Sequence, residues 1–102
     1  MRAIELDAAD WTSASDFYEA LFAAIGAPSW HGRNVNALVD SMIYGGINAT
    51  TAPYTIRVKG CANLPADART EVELAQHALA EARQDYRASR GHDIEVLLEL
   101  DE

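Results

Sequence analysis

The 102-residue chain holds a single cysteine, Cys61, so no internal disulfide can form and a disulfide-stapled secreted fold is excluded. Long apolar runs are missing as well, and none reaches the length that crosses a bilayer. The opening Met1-Arg2-Ala3-Ile4-Glu5-Leu6-Asp7 turns acidic at once, unlike a secretory leader. A cytoplasmic location with no membrane partner is therefore expected. Also absent are the GxGxxG, Walker, GxSxG and HExxH patterns. His31, His77, His92 and Cys61 are scattered without metal-ligand spacing, so neither a metal nor a cofactor is expected. No pair of carboxylates is spaced for acid–base work. The expectation is a protein without catalytic residues, not an enzyme. Basic residues are scarce too: 8 Lys and Arg against 16 Asp and Glu leave a formal net charge of −8 and an isoelectric point near 4.7. Phosphate binding rests on Lys and Arg, so direct contact with nucleic acid is not expected. An acidic surface does attract a basic protein over a distance, although solubility alone also explains such a balance.

What is present is ordinary globular material, 49% hydrophobic and 24% charged. It suffices for one modest core and a single domain over residues 1–102. Arg2 to Leu6 reads as a short strand. Ser13 followed by Asp16 makes a capping-box-like start to a helix from about Ala14 to Ile25, stopped by Gly26 with Pro28 just beyond. Phe17, Leu21, Ala24 and Ile25 share one side of it. Asn34 is a good N-cap for a second helix, Val35 to Tyr44. Its Val35, Leu38, Val39, Met42 and Ile43 fall on one face and Asn36, Ala37, Asp40 and Tyr44 on the other. Gly45-Gly46 breaks it. Tyr54 to Lys59 alternates with period two, as a strand does. Cys61 to Asp67 is predicted as a loop, where an inert thiol is the plainer reading of Cys61. Ala68 to about Ser89 is helical, with Ala68, Val72, Ala75, Leu79, Ala82 and Tyr86 in one narrow stripe and His77 on the solvated side. Gly91 ends it, and His92 can meet the helix dipole. Ile94 to Leu100 is the last strand, and its near-continuous Val96-Leu97-Leu98 suits a buried position. The order β-α-α-β-α-β predicts an α/β fold with a three-stranded parallel sheet packed by helices.

One stretch stands apart. Between Glu19 and Arg57 the only charged residues are Arg33 and Asp40, while Trp30, Tyr44 and Tyr54 lie in the same stretch. Aromatics around a lone acid beside a helix start are typical contents of an interface hot spot. The plainer account is that Trp30 caps the core and Asp40 keeps a helix face wet.

The run Trp30-His31-Gly32-Arg33-Asn34-Val35-Asn36-Ala37-Leu38-Val39-Asp40 resembles the binding loop and second helix of the barstar family of ribonuclease inhibitors. The family's Gly-x-Asn-x-x-Ala-Leu-x-Asp core is matched at Gly32, Asn34, Ala37, Leu38 and Asp40. The ending Gly91-His92-Asp93-Ile94 before an apolar strand is similar too, and the element order is the one this barstar-like fold requires. The resemblance covers most of the chain, with only the central motif close.

That resemblance implies a loop and helix, Trp30 to Tyr44, that plug a nuclease's active-site cleft with an acid in the place of RNA phosphate. It assigns partner contact to Trp30, His31, Gly32, Arg33, Asn34, Asn36, Ala37, Asp40 and Tyr44. Trp30 would lie on the enzyme's rim or base-binding surface, and Asn34 would cap the helix and orient the loop. Asp40 would be the main phosphate mimic, meeting Arg, Lys or His. Asn36 and Arg33 depart from acids in the family pattern, and Val39 from an aromatic. Glu81 and Asp85 are candidates for an acidic contact on the last helix. The implied partner is a basic ribonuclease, of extracellular type or a delivered toxin, held 1:1 by a chain that is monomeric when free. The role would be self-protection or immunity. The alternative is a protein-interaction or regulatory module that keeps the barstar fold for a non-nuclease partner.

Overall fold

In the computed structural model, residues 2–45 and 48–101 are described; Gly46, half of the expected helix breaker, lies outside them. Strands β1 (Arg2–Asp7), β2 (Tyr54–Lys59) and β3 (Val96–Asp101) form one parallel sheet in the order β1-β2-β3. The register aligns Ile4 with Ile56 and Leu98, and Glu5 with Arg57 and Glu99. Successive side chains alternate between faces, so the first row points into the core and the second into solvent. A sheet extended in one direction by crossovers of one hand carries every connecting helix on the same side. Burial follows that rule. Leu6, Ile56, Val58, Val96 and Leu98 are buried. The other face is polar, with Lys59 and Arg57 held 3.2 and 3.5 Å from Glu5 and Glu99. The result is an α/β fold of two layers.

This layering corrects the expectation for the last strand. β3 is an edge strand rather than a buried one, and its Leu97 is only half-buried on the outer face. It starts at Val96, not Ile94, because Glu95 takes a φ of 56°, a left-handed conformation that no strand continues through.

Helix α1 (Ala14–Ile25) forms as predicted. The Asp16 carboxylate accepts from the Thr12 and Ser13 amides at 2.7 and 3.3 Å, and the Thr12 bond above all holds its carboxyl below the usual range. Gly26 ends the helix at φ 68°. Its carbonyl and that of Ile25 accept from Ala49 and Thr50 at 3.1 and 2.9 Å. A Cβ on Gly26 would stand 2.5 Å from the Ala49 methyl, so this crossing needs glycine twice over.

Helix α3 (Ala66–Arg90) buries the predicted stripe of Ala68, Val72, Ala75, Leu79 and Ala82, with Tyr86 partly covered. It begins two residues earlier than expected, directly after Pro65, whose missing N–H costs nothing at a helix start. The expected loop shrinks further because Cys61–Asn63 forms a 3-10 turn. Cys61 is fully buried there, with Sγ donating to the Val58 carbonyl at 3.1 Å. Tyr18 of α1 donates to the Glu71 carboxylate of α3, and burial chiefly pushes its phenol above the ordinary range. Tyr54 at the base of β2 is pushed up to about 12 by burial alone. At the far end Arg83 forks onto Asp93 at 2.8 and 2.6 Å.

Candidate functional site

Asn34 has extended backbone (φ −155°, ψ 163°), and its side-chain oxygen accepts from the Ala37 amide at 2.8 Å. This is the N-cap that the sequence predicts, and it starts α2 (Val35–Val39). The helix expected to run on to Tyr44 does not stay α-helical. Asp40–Tyr44 forms a π turn, closed by the Gly45 amide donating to the Asp40 carbonyl at 2.9 Å. The reason lies in what must be buried. Ser41, Met42 and Ile43 all point inward, and three consecutive inward residues sweep less arc on the wider turn than on an α-helix. Asp40 and Tyr44 stay outside at its two ends.

The loop ahead of α2 is fastened from within. His31 is only 7% exposed. Its Nδ1 lies 2.8 Å from the Gly32 carbonyl and its Nε2 lies 2.7 Å from the Ser41 hydroxyl. A carbonyl oxygen only accepts, so Nδ1 donates to Gly32, and the Ser41 hydroxyl, which also faces the Leu38 carbonyl at 3.4 Å, holds the other side of the ring. The ring packs on Phe22 with centroids 4.5 Å apart. With His31 turned in, its neighbour turns out, and Trp30 is 72% exposed. The core-capping account of Trp30 is thereby ruled out; Trp11 packs against Phe17 instead. Trp30, His31, Gly32, Ala37 and Asp40 line one shallow depression of about 160 Å³. Gly32 keeps it open, since a Cβ there would stand 3.1 and 3.3 Å from Asn34 and Ala37 side-chain atoms.

The structure thus brings Trp30, Gly32, Ala37 and Asp40 together at the surface, with Asn36 exposed beside them on α2. Among the described residues the Asp40 carboxylate has no hydrogen bond or ion pair. Arg33, by contrast, is drawn back onto α1, donating to the Ser15 hydroxyl at 2.9 Å and lying 3.5 Å from Glu19. Glu81 lies 3.1 Å from His77 on the solvent side of α3, and Asp85 is exposed. The residues of α3 that do reach this neighbourhood are others. Tyr86 sits 6.0 Å from the 47%-exposed Tyr44, and the Arg90 guanidinium lies over both rings, at 4.9 and 5.9 Å. His92 stands edge-on to Tyr86. Sequence reasoning placed Tyr86 in the core stripe and passed over Arg90. The available signal was an aromatic and two arginines, Arg87 and Arg90, in one helix's last turns.

The sheet itself offers little for small-molecule chemistry. Doubly wound folds bind ligands where the strand order reverses, and among the described strands it never does. A family model described as Barstar (barnase inhibitor) matches residues 1–99. The chain belongs to the barstar family. The match takes in all three helices and four of the six residues of β3, not only the central motif. Barstar-family membership goes with a ribonuclease-inhibitor type of function and not with catalysis. No curated protein matches the chain at a significant level. Among the described residues no helix is long and apolar enough to cross a membrane.

Proposed function

We propose that this protein inhibits a basic ribonuclease in a 1:1 complex by seating the Trp30–Tyr44 face in the enzyme's cleft. Asp40 carries the reading: its carboxylate is exposed and has no partner among the described residues, beside a depression walled by an exposed Trp30. A bare carboxylate in such a frame is a ready partner for the cations that bind RNA phosphate, and an Arg fork would meet it bidentately. Trp30 supplies rigid apolar area next to it. His31 serves through the loop backbone it holds, since its ring is buried. Asn34 orients the loop as the helix cap. The cation at Arg33 does not compete for Asp40, because Ser15 and Glu19 engage it. Protection from the cell's own ribonuclease, or immunity to a delivered one, both call for the cytoplasm.

The test is capture from the source organism's lysate and culture medium on immobilised wild type and Asp40→Ala, with eluates assayed for ribonuclease. Truncating a hot-spot residue costs about 2 kcal/mol or more, so Asp40→Ala is expected to weaken inhibition by at least about 30-fold with an unchanged melting temperature. Equal inhibition by both proteins would remove Asp40 from its role. Capture of a partner without nuclease activity would favour an interaction module instead.

A further inference from the structure

We infer that the same face carries a second subsite of opposite sign, in which Arg90, set over the rings of Tyr44 and Tyr86, receives a carboxylate side chain of the partner ribonuclease. The inference rests on the inhibitor reading above and adds the charge pattern its partner must present.

Three observations carry it. First, the ion pairs among the described residues take up Arg33, Arg57, Lys59, Arg69 and Arg83 and leave out Arg2, Arg87 and Arg90. Of these three, Arg90 is the one set over aromatic rings among the described residues. Second, Arg90 does not trail in solvent, because its guanidinium is laid over the rings of Tyr86 and Tyr44 at 4.9 and 5.9 Å. A guanidinium held over ring faces keeps N–H donors to spare, and a planar carboxylate can take two of them by parallel bonds. A fork already held in place loses less freedom on binding than a loose one. Third, the subsite is continuous with the proposed interface. Tyr44 lies at the other end of the π turn from Asp40, and the two tyrosines and the arginine are the residue types that interface centres favour.

A cation at the end of α3 also suits the helix dipole, and Arg87 suits it as well. The dipole does not explain why Arg90 reaches across to a ring on another element. An RNA phosphate would fit the same fork, but the molecule's net charge and the neighbouring Asp40 both repel RNA. The partner therefore offers a cation to Asp40 and an acid to Arg90, and the pair fixes one docking orientation.

The experiment immobilises wild type, Asp40→Ala, Arg90→Gln, Arg90→Lys and, as a control on the back of the sheet, Arg57→Gln. Ribonuclease recovered on wild type is then titrated against each. Expected are a loss of at least about tenfold for Arg90→Gln, a smaller loss for Arg90→Lys, no change for Arg57→Gln, and melting temperatures alike within a few degrees. Ribonuclease bound as tightly by Arg90→Gln as by wild type would overturn the Arg90 subsite and leave the inhibitor reading standing. Recovery of no ribonuclease on wild type would overturn both. Arg90-dependent binding of a labelled RNA oligonucleotide by the free protein would overturn the carboxylate assignment.

Discussion

Gly26 carries two demands at one position, a left-handed backbone and room for Ala49. Gly26→Ala is expected to lower stability by about 2 kcal/mol or more, the sum of left-handed strain of about 1–2 kcal/mol and displacement of the 48–50 segment. Urea unfolding with an unchanged m-value would register it. The first demand was legible in the sequence, where glycine after a periodic run marks a helix end. The second was not, because the clash is with a residue twenty-three positions on. His31 shows the same division. The family resemblance assigns it to partner contact, yet only its contacts with Phe22 and Ser41 reveal that the ring faces inward. Asp40 was the clearest case. Its exposure follows from the apolar positions around it, because Leu38, Met42 and Ile43 must point the other way.

At the scale of elements, α3 separates its faces sharply enough to be tested by two leucines. Leu79 is buried in the stripe and Leu74 is 53% exposed. Leu79→Ala is expected to cost about 2–5 kcal/mol, and Leu74→Ala no more than about 0.5 kcal/mol; chemical denaturation of the pair distinguishes a one-sided helix from one covered all round. The stripe was readable because a long periodic run averages over local exceptions. The π turn was not, since no residue type demands it and it arises from burying Ser41 with Met42 and Ile43. Nor was the edge position of β3. Val96-Leu97-Leu98 reads alike in a central strand and in an edge strand whose outer leucine is half-covered, and strand order is set by tertiary packing.

For the molecule as a whole, the tie between the end of α3 and the segment leading into β3 is one source of acid sensitivity, beside Asp16 at the start of α1. Asp93 accepts the Arg83 fork and the Glu95 amide, and the Arg83 bonds above all hold its carboxyl well below the usual carboxylate range. A carboxyl with a depressed folded-state pKa stabilises fully above its unfolded value, near 3.9, and that stability is lost as pH falls towards the folded value. Asp93→Asn is therefore expected to melt lower than wild type at pH 7 and to lose less between pH 5 and pH 2. Melting curves taken across that range would show the two proteins converging in acid, and parallel curves would mean that Asp93 is not the group responsible.

The one-sided layering gives the molecule a front and a back that can be handled separately. The helices that present Asp40 lie on one side of the sheet, and the ion-paired row of Glu5, Arg57 and Glu99 lies on the other. A dye, a biotin or a resin attached through that row leaves the helical side open to solution. Every copy on a sensor chip would then display the same side outwards.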